Sequence, residues 1–112
     1  MKNILPTILL AGLAGLSTAA LARGDIAAGQ AKAKQVCAAC HGENGDKPLQ
    51  PEYPVLSGQH VDYLTKALKD YKSGARKNAI MGAQAQTLST KDIDDVAAWF
   101  ASRSGPLHVK KH

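Results

Sequence analysis

Apolar positions along this chain fall into separate blocks. The first is a continuous run, ILPTILLAGLAGLSTAALA at positions 4–22, preceded by Lys2 and closed by Ala20-Leu21-Ala22. A short positive head, an apolar stretch and a small-x-small end predict a secretory signal peptide over residues 1–22, with the mature chain starting at Arg23. The run nearly reaches the length of a membrane-spanning helix. Its Gly, Ser, Thr and Ala content favours cleavage over retention, so no stable membrane insertion is expected afterwards.

Helical patterning follows. Asp25 is placed to cap a helix over IAAGQAKAKQVCAA (26–39), whose Ala, Gln and Lys are good helix formers. Residues 42–58 carry three prolines and three glycines with little periodicity, and so predict a loop. In HVDYLTKALKDYKS (60–73), Val61, Leu64, Leu68 and Tyr71 share one helical face, and Gly74 is placed as a left-handed cap. Residues 75–88 read as a second loop, containing Met81. Ser89, with Asp92 three residues on, is a short variant of the capping box, and Leu88 can staple onto Ile93. Ile93, Val96, Ala97 and Phe100 then form an apolar stripe, and Gly105-Pro106 stops the helix. No segment alternates like a strand. The expected fold is all-α, with three main helices, two long loops and a frayed tail over 105–112. Long loops in a small domain usually hold something.

Composition sharpens this picture. Removing residues 1–22 from 112 leaves 90, one small domain over 23–112. Aromatic residues make up only 4%, so the side chains alone build a thin core. Domains of this size often need a disulfide, metal or cofactor. Both cysteines lie in one CxxC, which rules out a wider disulfide framework. Something large and apolar is missing from the polypeptide. Loss of Lys2 lowers the 14 basic side chains by one against 9 acidic, a formal +4. No basic stripe interleaves with aromatics, so nucleic acid is not an expected partner. A modest positive surface suits docking to an acidic protein.

The chemistry lies in QVCAACHGENG (35–45). A dithiol switch needs its CxxC at a strand-to-helix junction, and no strand is available. Zinc needs four ligands, whereas Cys37, Cys40 and His41 are three and tightly clustered; His60 has no partner motif. A covalent haem uses every position. Two thiols three residues apart can add to the two vinyl groups of one porphyrin edge, and the adjacent histidine then binds iron.

With GDIAAGQAKAKQVCAACHG, YPVLSGQHVDYLTKALKDYKSGARKNAIM and LSTKDIDDVAAWFAS, residues 24–104 resemble the bacterial class I cytochromes c. The likeness is to small single-haem periplasmic members and to one haem domain of their two-haem relatives. It implies one haem c per chain, held by Cys37 and Cys40, with His41 as proximal iron ligand. It implies Met81 as distal ligand, since the family places its axial methionine at the position of NAIM; a lone methionine otherwise reads as core filler. His60, His108 and His112 are the rivals. It also implies that the Pro54 carbonyl orients His41, that Leu56 packs on the haem or in the core, and that Gly29 faces an aromatic, Trp99, where the first and last helices cross. The family often carries an aromatic four residues after that glycine; this chain has Ala33. Asn78 could bond near the ligand or a propionate, or be an exposed amide. Arg76 and Lys77 could lie near the propionates, or be solvated.

No nucleophile–base or carboxylate pair stands out. The expected function is a periplasmic electron carrier serving redox proteins with acidic docking surfaces, with Lys47 and Lys77 near the exposed edge. The alternative is a haem subunit of an oxidoreductase or a small haem peroxidase. A thioether ligand would stabilise ferrous iron relative to a second histidine.

Overall fold

The computed structural model describes residues 24–107, together with residues 2–4, 7 and 12. Apart from those positions, the expected leader, its cleavage point and the tail from His108 onward lie outside the described residues. Five helices follow in order: α1 (Ile26–Val36), α2 (Ala38–His41), α3 (Val61–Ser73), α4 (Ala79–Gln86) and α5 (Thr90–Ser102). Among the described residues there is no strand, and no helix is long and apolar enough to cross a membrane.

The three long helices follow the sequence pattern, with adjusted ends. Asp25 caps α1 by accepting from the Ala28 N–H at 3.1 Å. The helix ends at Val36 rather than at 39, because Cys37 turns the path before α2 continues it to His41. Gly42, at φ 87°, then stops the helical run. The capping box of α5 is complete. Ser89 Oγ accepts from the Asp92 N–H, and Asp92 Oδ2 accepts from the Ser89 N–H, both at 3.0 Å. Leu88 and Ile93, on either side of this cap, are both buried. That helix ends at Ser102, ahead of Gly105, as Arg103 turns extended and the chain folds back over Ser57 and Gly58.

One correction is larger. Residues 75–88 are not simply a loop, because α4 occupies eight of them and Met81 lies in its first turn. The segment AIMGAQAQ has no sustained apolar stripe, and so it lacks the periodicity by which a surface helix is recognised. It forms because Asn78 caps it and good helix formers follow.

The core gathers Ala33, Leu64, Val96, Ala97, Trp99 and Phe100 where α1, α3 and α5 meet. Helices α1 and α5 approach closely at Gly29. A Cβ there would lie 1.9 Å from the Asp95 carbonyl oxygen and 3.0 Å from Trp99 Cβ. Only glycine fits, which offsets its cost inside a helix. The same crossing is pinned by a buried charge. Asp95 accepts from the Asp25 N–H at 2.8 Å and from Lys91 Nζ at 2.5 Å.

Candidate functional site

Helix α2 carries the motif. Cys37 precedes it, Cys40 and His41 end it, and both thiols are free and half-buried. Burial, aided by the neighbouring Cys40, pushes the Cys37 thiol up to about 11. It is therefore a neutral thiol near pH 7, whereas thiolate ligation or disulfide exchange would require loss of that proton.

His41 is buried, and its Nδ1–H donates to the Pro54 carbonyl oxygen at 2.9 Å. This pairing spends Nδ1 and leaves Nε2 as the ring nitrogen free for a metal. The loop builds the acceptor from several anchors. The Gly45 carbonyl accepts from the N–H groups of Leu56 at 2.8 Å and Ser57 at 3.1 Å. The Gly58 N–H donates to the Phe100 carbonyl at 2.9 Å, and the Leu49 N–H to the Cys40 carbonyl at 2.9 Å. Gly45 is required by contact, since a Cβ there would sit 2.7 Å from the Phe100 ring. The loop thus ties α2 to α5, with Pro54 held between. Tyr53 adds a tilted ring 6.2 Å from that of His41.

Other expected residues are distributed as follows. Leu56 is half-buried and packs against the core beside Cys37, Val61, Leu68 and Ala101. Met81 is half-buried on α4, which packs on α3. His60 is exposed in the N-cap position of α3. Arg76 lies 4.7 Å over the Tyr71 ring and donates weakly to the Tyr63 hydroxyl at 3.4 Å, a bond that raises its pKa further. Lys47 and Lys77 are exposed. Asn78 is the N-cap of α4 and accepts from the Ile80 and Met81 N–H groups.

Sequence reasoning missed three of these contributions. Gly45 as loop anchor and Asp95 as helix clamp depend on partners distant in sequence, so no local signal marks them. The cap at Asn78 was detectable, since Asn before Ala-Ile-Met is an N-cap pattern.

These residues fit a haem. Two free thiols precede an imidazole whose Nδ1 is already paired, and the half-buried side chains of Leu56, Val61 and Leu68 pack against the core. The Met81 thioether, in the first turn of α4, is a further group of a kind that haem iron accepts.

Comparison with known proteins agrees. The family model for cytochrome c matches residues 26–104. Cytochrome c4 of Pseudomonas aeruginosa is 47% identical over 104 residues, covering 92% of this chain and 49% of the relative. Cytochrome c-554(548) of Halomonas halodenitrificans is 46% identical over 83 residues, covering 71% of this chain and 98% of the relative. Among solved structures, reduced recombinant cytochrome c4 from Pseudomonas stutzeri aligns with a TM-score of 0.67 at 41% identity, covering 73% of this chain and 47% of that one. The chain thus spans about half the length of the cytochrome c4 proteins that it matches.

Proposed function

Because this chain belongs to the cytochrome c family, whose domain binds one c-type haem covalently, we propose that it is a periplasmic carrier of single electrons between redox proteins. When bound, the haem supplies the ferric/ferrous couple. The polypeptide supplies attachment, orientation, burial and a docking surface.

The observation that carries this reading is the pairing of His41 Nδ1 with the Pro54 carbonyl, one residue beyond two free thiols. Cys37 and Cys40 hold the group by thioether bonds at one edge. His41 Nε2 would bind the iron, in a tautomer and ring orientation set by Pro54. Met81 is the distal ligand, presented from the first turn of α4. Leu56, Val61 and Leu68, half-buried against the core, would shield the bound group from water. An iron held by an imidazole and a thioether would suit electron transfer rather than the open coordination of a peroxidase. Export through residues 1–22 supplies the compartment.

Lys47 and Lys77, both exposed, give positive docking points for acidic partners in transient complexes. The test is an optical spectrum of haem-matured protein in both redox states, beside Met81→Ala. Thioether-linked haem with a Met–iron charge-transfer band lost in the variant supports the ligand set; absence of haem would overturn it. Electron-transfer rates with an acidic redox protein should fall as salt rises. A flat response would remove the docking proposal.

A further inference from the structure

We infer that Asn78 is a positioning residue that holds Met81 in place for iron by capping the first turn of α4; the inference rests on Met81 as distal ligand. Its side-chain oxygen accepts from the Ile80 N–H at 3.0 Å and the Met81 N–H at 2.9 Å, while its own carbonyl accepts from the Gly82 N–H at 2.8 Å. A single residue thus accepts from three N–H donors of the turn that carries Met81: those of Ile80, Met81 and Gly82.

The two halves of α4 are secured differently. The C-terminal half buries Ala85 completely. It is also tied to α3, since Gln86 Nε2 donates to the Lys72 carbonyl and Lys72 Nζ to the Leu88 carbonyl. The N-terminal half is exposed from Asn78 through Ile80. Among the described residues, the side-chain hydrogen bonds to this turn come from Asn78 alone. Gly82 directly after Met81 weakens the turn further, because glycine is a poor helix former. No tight protein contact demands glycine there: a Cβ would meet only the Tyr71 carbonyl oxygen, at 3.9 Å. The ligand therefore sits on the loosely fastened end of its helix, and the cap is what holds it. Removing the cap frees Met81 without opening the core beneath α5.

The experiment compares haem-matured wild type, Asn78→Ala, Asn78→Ser, Asn78→Asp and Met81→Ala, titrating imidazole against the Met–iron band. A parallel denaturant curve reports global stability. In Asn78→Ala, imidazole should displace Met81 at roughly two- to thirtyfold lower concentration, the range that a lost N-cap spans. Ser and Asp, which cap as well, should restore near wild-type behaviour. Unchanged displacement in Asn78→Ala overturns the inference. So does weakening in all three Asn78 variants that only parallels global stability, which would mark Asn78 as merely structural. If wild type and Met81→Ala give the same spectrum, the ligand reading itself fails and takes this one with it.

Discussion

Across thirteen residues of chain, His41 Nδ1 and the Pro54 carbonyl oxygen meet at 2.9 Å. The contact joins the end of α2 to a loop that is itself bonded to α5 through Gly58 and Phe100. Orientation of the His41 imidazole is therefore a property of the whole loop. Pro54→Gly keeps the carbonyl but removes the ring that fixes its backbone. A weaker acceptor makes the imidazole a poorer donor to ferric iron, so the reduction potential should rise. The expected shift is roughly 20–40 mV, equivalent to about 0.5–1 kcal/mol for one hydrogen bond. Voltammetry of the matured variant would measure it, and an unchanged or lowered potential would contradict the role given to Pro54.

Attachment of the haem should decide whether the chain folds at all. The buried apolar set is small and includes three alanines, Ala33, Ala85 and Ala97. Leu56, Val61 and Leu68 are only half-buried against it. The double variant Cys37→Ala/Cys40→Ala, produced without haem, should lose most of its far-ultraviolet helical signal. A cooperative unfolding transition in that variant would show that the polypeptide core suffices.

The close approach of α1 to α5 leaves no room at Gly29. Its would-be Cβ faces the backbone carbonyl of Asp95, which cannot rotate aside as a side chain could. Gly29→Ala should destabilise the holoprotein by about 2–3 kcal/mol. For a domain of this size that lowers the melting temperature by roughly 8–24 °C. Calorimetry showing no loss would mean that the helices can separate at little cost.

Acid should remove one contribution at α5. The Ser89 backbone N–H, first among its partners, holds the Asp92 carboxyl below its usual value of 3.8. A carboxylate depressed on folding stabilises the native state above its unfolded pKa, and that contribution fades as pH falls through the lower folded value. Asp92→Ala should therefore cost about 0.5–1 kcal/mol at pH 7. The gap from wild type should narrow below pH 3.8. Chemical denaturation at pH 7 and pH 3 would check it, and a gap that widens in acid would contradict the sign.

Much of this protein is legible in its sequence, because the responsible interactions are local. Asp25, Gly74 and the Ser89–Asp92 pair bound their helices through contacts within a few residues, and residue type alone specifies them. CAACH likewise states its chemistry through spacing. The helix at Met81 escaped because it shows no apolar periodicity and is held by a cap and by α3, so its existence depends on neighbours.

The sequence by itself determined three long helices, their caps and the attachment motif, since hydrogen bonds and periodicity over one or two turns decide them. Tertiary structure alone decided how the motif is served. It brought Pro54 to His41 through Gly45, seated Gly29 against Asp95, and paired the buried Asp95 carboxylate with the Asp25 N–H. Those contacts join residues up to seventy positions apart. Packing selects such partners because buried polar groups must be paired and close-packed helices admit only the side chains that fit.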